Sequence, residues 1–117
     1  MKILILDDEI ISAMGLEIKL KNIGFTSIFK TSRYDDAMKI YKQEQPDVII
    51  LDININESRS GLEFAKNVNS KTSIVFVSGY RIENYIEELK DVKYDLYLEK
   101  PILFHQLEDF LLARQNS

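Results

Sequence analysis

Short apolar runs alternate with segments of helical spacing along the whole chain. Runs at residues 3–6, 48–51 and 74–77 are continuously apolar, and more mixed runs lie at 26–30 and 94–98. Runs of this length that are apolar on both faces are typical of inner strands in a parallel sheet covered on two sides. The mixed runs suit edge strands. The pattern therefore predicts five strands.

Between these runs, apolar residues recur every three or four positions, as on one face of a helix. Ile11, Met14 and Ile18 share such a face after the first strand. Further helices are predicted after the second strand, at about 61–69 and at 82–90. The last helix has an apolar face made of Leu103, Phe104, Leu107, Phe110 and Leu111. Five strands alternating with five helices predict a doubly wound α/β fold with a parallel sheet.

Length and composition narrow the class of protein. The 117 residues suit a single domain spanning 1–117, with 45% hydrophobic and 29% charged residues. The net charge of −4 gives no electrostatic reason to expect nucleic-acid binding. The chain lacks cysteine, so a reducing cytoplasm is the simplest compartment. Asp7 interrupts the first apolar run too early for a signal peptide or membrane span, and no membrane partner is expected.

Each inner strand, and the last one, is followed by a polar group. These groups are Asp7 and Asp8, Asp52, Ser78 and Lys100. In a sheet of strand order 2-1-3-4-5, ligands bind at the carboxyl ends of the first and third strands. Crowded carboxylates there raise one another's pKa unless a cation relieves them. Mg²⁺ prefers such oxygen ligands and often binds phosphate, so the edge is a predicted magnesium and phosphoryl site.

The chain resembles the receiver domain of bacterial two-component response regulators, the family that includes the stand-alone chemotaxis receiver. The likeness covers essentially the whole chain. It depends on five motifs in order, each weak alone: Asp7-Asp8, Asp52, Ser78-Gly79, Tyr97 and Lys100-Pro101. The resemblance implies a flavodoxin-like fold and a signalling switch that catalyses only its own phosphorylation and dephosphorylation.

The resemblance also implies a role for each matching residue. Asp52 is the implied phosphoacceptor, taking its phosphoryl group from a phosphohistidine. Ser78 and Lys100 are implied to bind phosphoryl oxygens. The implied ligands of Mg²⁺, with Mn²⁺ as an alternative, are Asp7, Asp8, Asp52 and the backbone carbonyl of Asn54.

The implied switch uses Ser78 and Tyr97. Ser78 moves toward the phosphoryl group and Tyr97 rotates inward, which reshapes the surface of helix 4, strand 5 and helix 5. Asn54 and Tyr80 are expected to set the dephosphorylation rate. Tyr80 is bulky and lies two residues after Ser78, so slow phosphoryl loss is predicted.

One stretch departs from the family pattern. Asn56 stands where proline is usual, and the loop over 54–60 reaches Gly61 one residue later than in the commonest spacing. The position of the Asn54 carbonyl is therefore left open by the sequence.

Several alternatives stay open. Asp7 and Asp8 could cap the first helix, and the other polar groups could be ordinary surface residues. A degenerate receiver would act only as an unphosphorylated interaction module. A haloacid dehalogenase-type phosphatase fits less well, because it needs a second Asp where this chain has Asn54. Expected partners are a sensor histidine kinase or phosphotransfer protein, and a downstream protein target or an output domain outside this sequence. Pairing into a homodimer also stays open.

Overall fold

A computed structural model describes residues 1–55 and 60–116. Within them the chain forms one parallel sheet of order β2-β1-β3-β4-β5. This confirms the predicted flavodoxin-like topology, and the two mixed strands are the edges. The strands are β1 (Lys2–Leu6), β2 (Ser27–Thr31), β3 (Val48–Asp52), β4 (Ser73–Ser78) and β5 (Leu96–Glu99).

Within the described ranges, five helices cover the two faces of the sheet. They are α1 (Ile10–Asn22), α2 (Tyr34–Glu44), α3 (Gly61–Lys66), α4 (Ile86–Leu89) and α5 (Phe104–Gln115). A 3₁₀ turn at Ile82–Tyr85 precedes α4, so the predicted fourth helix is α-helical only in its second half. None of the helices in the described ranges is long and apolar enough to cross a lipid bilayer.

Helix α3 ends at Lys66, three residues before the predicted end. The reason lies in Asn67, whose side-chain amide donates a hydrogen bond to the Glu63 carbonyl over 3.0 Å. A side chain that takes a backbone acceptor of the last turn competes with helix continuation.

The core has two layers, one on each side of the sheet. Strand β1 contributes to both, because successive side chains of a strand point to opposite faces. Leu4 and Leu6 pack in the layer with Phe64, whereas Ile3 and Ile5 pack in the layer with the buried residues of α1 and α5. This double burial explains why the inner strands are continuously apolar.

Helix α1 turns its predicted apolar face outward. Ile11, Met14 and Ile18 are 86%, 47% and 57% exposed, while Ala13 and Leu20 are buried against the sheet. The helix has two apolar faces, and spacing shows which residues share a face but not which face turns inward. The exposed face remains available for contacts with another molecule.

Asn56, at which the sequence departs from the family pattern, lies outside the described residues. Residues 54 and 55 on one side of it and Ser60 on the other are described. Ser60 begins the turn into α3, where its hydroxyl oxygen accepts the Glu63 backbone N–H over 3.4 Å.

Candidate functional site

Three carboxylates meet where β1 and β3 end. Asp7 follows β1, and Asp52 is the last residue of β3, whose Leu51 pairs with Leu6. One carboxylate oxygen from each of Asp7, Asp8 and Asp52 lies within 4.8 Å of the other two. Residues far apart in sequence are thus brought together by adjacent parallel strands, as the strand order requires.

Two of these carboxylates are each held by a local turn, and the two turns are of the same type. Asp7 Oδ1 accepts the backbone N–H of Glu9 over 2.8 Å, and Asp52 Oδ1 accepts that of Asn54 over 3.0 Å. Aspartate side chains stabilise turns by accepting the N–H two residues further on. In both cases the other oxygen, Oδ2, faces the ammonium group of Lys100.

Lys100 joins the site from the end of β5. Its Nζ lies 3.1 Å from Asp52 Oδ2, 3.5 Å from Asp7 Oδ2 and 3.0 Å from Glu9 Oε1. Its backbone N–H donates to the Ser78 carbonyl over 2.7 Å, and the following Lys100-Pro101 peptide is cis. Burial alone would lower the pKa of Lys100, but the hydrogen bond to Glu9 and the charges of Asp52 and Asp7 raise it overall. The ammonium group therefore stays charged.

Asp52 is a buried carboxylate with a raised pKa. It is only 5% exposed. Burial raises its pKa to about 6, and the nearby Asp7 charge adds to this, whereas the Asn54 N–H and Lys100 oppose it. The lysine therefore compensates only part of the cost of holding an ionised carboxylate here. A cation bound among the acids would supply the remainder.

Ser78 ends β4 beside the acids. Val77 pairs with Asp52 in the neighbouring strand, so Ser78 lies one residue beyond the position paired with Asp52. It is fully buried, and its hydroxyl oxygen accepts the Tyr80 N–H over 3.0 Å. Tyr97, half-buried in β5, donates its hydroxyl to the Tyr80 carbonyl over 2.7 Å, and burial raises its pKa. Ser78 and Tyr97 are thus linked through the backbone of Tyr80.

Two residues of the site were not predicted. Glu9 shares Lys100 with the aspartates, and its position directly after the acidic pair was an available signal. Tyr85, in the 3₁₀ turn, accepts a 2.8 Å hydrogen bond from the Asn54 side-chain amide. An aromatic residue at helical spacing is normally a packing residue, so the sequence offered no signal for Tyr85.

A cleft of about 570 Å³ leads away from the acids between α1 and the segment after β5. Its walls include apolar side chains of Leu16, Ile50, Val77 and Ile102. Asp52 and Lys100 line the same cleft, so charged and apolar groups share one surface there. Such a mixed surface suits contact with a macromolecule or ligand that also carries apolar groups.

Gly61 allows the end of β3 to lie close to the start of α3. Its N–H donates to the Ile53 carbonyl over 2.9 Å. A Cβ atom at this position would collide with the Asp52 backbone carbonyl. Only glycine therefore permits this approach, a requirement that the sequence alone does not reveal.

Comparisons with known proteins agree with this geometry. The model of the response regulator receiver domain family matches residues 3–111. An uncharacterized response regulatory protein of Staphylococcus epidermidis is 28% identical over an alignment of 113 residues that covers 94% of this chain. The chain spans only 45% of the length of that relative.

Solved structures share the fold. The CheY-like receiver domain from Methylobacillus flagellatus superimposes with a TM-score of 0.83 at 26% identity, with 97% of each chain covered. A Burkholderia pseudomallei response regulator that has a phosphorylated aspartic acid and a calcium ion gives 0.79 at 24% identity, with 91% of this chain and 63% of the other covered. The chain belongs to the response regulator receiver domain family of two-component signalling.

Proposed function

We propose that Asp52 is the phosphoacceptor and takes its phosphoryl group from a phosphohistidine of a sensor histidine kinase or phosphotransfer protein. The observation that carries the proposal is the contact of Lys100 with both Asp52 and Asp7, at the strand edge where ligands bind in this fold. The relative from Burkholderia pseudomallei, with its phosphorylated aspartic acid, supports the same chemistry.

In the proposed transfer, an Asp52 oxygen attacks phosphorus as the phosphorus–nitrogen bond breaks. The histidine nitrogen keeps the bonding pair and takes up a proton. Phosphoryl transfer depends mainly on alignment and on neutralising charge at the phosphoryl oxygens. Lys100 supplies a permanent positive charge, and Ser78 supplies a hydroxyl donor one residue beyond the acceptor position.

The donor set suits Mg²⁺, with Mn²⁺ as an alternative. Asp7, Asp8 and Asp52 offer carboxylate oxygens within 4.8 Å of one another, and hard cations prefer such ligands. The raised pKa of Asp52 also favours a cation there. We assign the backbone carbonyl of Asn54 as a further ligand. When bound, the ion supplies positive charge that offsets the negative charge of the phosphoryl oxygens.

The proposed switch couples Ser78 to Tyr97. The Ser78 hydroxyl oxygen contacts the Tyr80 N–H, and the carbonyl of Tyr80 contacts the Tyr97 hydroxyl. A phosphoryl group that draws Ser78 away releases the Tyr80 backbone. The release lets Tyr97 turn inward and reshapes the surface formed by α4, β5 and α5. This surface transmits the signal to a downstream protein or an output domain, and it also offers a place for homodimer pairing.

The exposed apolar face of α1 is proposed to bind the phosphodonor protein. Ile11, Met14 and Ile18 lie on a helix that begins three residues after Asp7. Apolar residues clustered on a surface beside a reactive group are typical of a docking site. The acceptor then meets its phosphohistidine within an interface that excludes water.

The proposal is tested by incubating the protein with Mg²⁺ and a small phosphodonor such as acetyl phosphate. Mass spectrometry is expected to find one phosphoryl group on Asp52, absent in Asp52→Asn and retained in Asp109→Asn, an exposed control on α5. An unmodified wild type would refute the proposal and favour a degenerate receiver. Steady turnover of a small phosphomonoester would favour the phosphatase alternative.

The side chains of Asn54 and Tyr80 are proposed to set the rate at which the acyl phosphate is lost, and the bulk of Tyr80 to slow this loss. Tyr80 is 57% exposed and lies two residues after Ser78, which supports a role in restricting the access of water. A lifetime of only seconds in the wild type would contradict this part of the proposal.

A further inference from the structure

We propose that Tyr85 is a positioning residue that lengthens the life of the phosphorylated state by holding the Asn54 amide away from the acceptor. The inference rests on the proposed phosphorylation of Asp52. It concerns a residue of the 3₁₀ turn, outside the set of acids, lysine and serine that the transfer itself uses.

Asn54 makes two hydrogen bonds, one through its backbone and one through its side chain. Its backbone N–H donates to Asp52 Oδ1 over 3.0 Å, which places the residue next to the acceptor. Its side-chain Nδ2 donates to the Tyr85 hydroxyl over 2.8 Å. The amide is therefore directed toward the 3₁₀ turn, and this bond joins segments 31 residues apart in sequence.

Tyr85 also packs against another aromatic ring. Its ring meets that of Tyr80 edge-on, with centroids 6.3 Å apart and an interplanar angle of 81°. Tyr80 in turn carries the carbonyl that accepts the Tyr97 hydroxyl. Tyr85 is half-buried and packs against the core layer on that face of the sheet. The hydroxyl is thus a fixed acceptor, and releasing Asn54 requires breaking the hydrogen bond to it.

Hydrolysis of the acyl phosphate explains why this contact matters. The oxygen of a water molecule attacks phosphorus, the bond from phosphorus to the Asp52 oxygen breaks, and the carboxylate leaves with the bonding pair. The phosphate keeps the water oxygen and one of its protons, and the other proton passes to solvent. The attacking water must lie opposite the breaking bond. An amide on Asn54 that is released from Tyr85, so close to Asp52, can turn to orient that water, whereas the hydrogen bond to Tyr85 holds it toward the 3₁₀ turn.

The test uses Tyr85→Phe, which removes only the hydroxyl. The Asp52 acyl phosphate, formed with a small phosphodonor, is expected to hydrolyse about five-fold faster, the equivalent of one ordinary hydrogen bond. In the Asn54→Ala background the same change is expected to have no effect. Tyr41→Phe is the matched control, because its hydroxyl also accepts a 2.8 Å hydrogen bond, from the Asn69 N–H. Asn69 lies before β4, at the amino end of the strands, whereas the acids lie at the carboxyl end.

A second measurement needs no phosphorylation. The NMR signals of the Asn54 side-chain amide are expected to shift in Tyr85→Phe and to stay in place in Tyr41→Phe. Unmoved signals would overturn the inference, as would an unchanged lifetime. If Tyr85→Phe also speeds hydrolysis in the Asn54→Ala background, the effect would come from a general loosening of the structure and not from the Asn54 amide. Wild-type protein that takes up no phosphoryl group would refute the proposed function, whereas normal uptake with an unchanged lifetime would refute only the role of Tyr85.

Discussion

Replacing the buried Asp52 with asparagine is expected to stabilise the metal-free protein at neutral pH. Asp52 is buried, and burial raises its pKa from 3.8 to about 6 despite the nearby Lys100. Asparagine has nearly the same shape and carries no charge. Lys100 keeps its contacts with Asp7 and Glu9, so the substitution does not leave a buried ammonium group unpaired.

The size and pH range follow from the pKa shift. A shift from 3.8 to about 6 corresponds to an upper limit of about 3 kcal/mol, at about 1.4 kcal/mol per pKa unit. The folded state keeps its proton to higher pH than the unfolded state. The contribution of Asp52 to the free energy of unfolding therefore falls as the pH rises from about 4 to 6. The asparagine variant has no such ionisation and does not lose this contribution. The advantage of Asp52→Asn is expected to be absent below about pH 4 and constant above pH 6.

The assay is thermal or urea unfolding in the presence of a chelator between pH 4 and 8. For a domain of this size, the Tm gain at neutral pH is expected to be roughly 10 °C or less. Asp109→Asn, on the exposed side of α5, is the control and should show no such pH-dependent gain. A variant less stable than wild type at pH 8, or a gain of equal size at pH 4, would refute the view that burial dominates the energetics of Asp52.

Three further outcomes are expected, the second with Gly15→Ala as its matched control. Millimolar Mg²⁺ should raise the Tm of the wild type and not that of Asp7→Ala, because ligands that bind the folded state stabilise it. Gly61→Ala should cost about 1–3 kcal/mol, because its methyl group collides with the Asp52 carbonyl. Gly15→Ala, with no atom near its Cβ, should instead gain about 0.5–1 kcal/mol in helix α1. Ile11→Ser should slow transfer from a kinase and leave acetyl phosphate uptake unchanged, because this exposed side chain lies outside the acid site.

Each of these has a clear contrary result. A Tm gain with Mg²⁺ that is as large in Asp7→Ala as in the wild type would contradict the assignment of the acids as metal ligands. A Gly61→Ala protein as stable as wild type would mean that the acceptor loop moves aside easily, and circular dichroism melting would show this. Undiminished transfer from the kinase to Ile11→Ser, followed by phosphoprotein gel, would place donor docking elsewhere.

The sequence by itself determined the sheet and the residues at its carboxyl edge. Strands covered on both faces are apolar along their length, so a polar residue such as Asp52 marks the end of the apolar run. Strand order then brings the ends of β1 and β3 together, and the family pattern supplied that order. For this reason the acids, Ser78 and Lys100 could be identified before any coordinates.

Only the tertiary structure decided which surfaces stay exposed and which side chains meet across loops. Spacing grouped Ile11 with Met14 and Ile18, but their exposure depends on how α1 rests on the sheet through Ala13 and Leu20. The Asn54–Tyr85 contact joins distant segments and leaves no periodic trace in the chain. Local patterns record burial along one element, whereas contacts between elements depend on packing distances that the pattern does not contain.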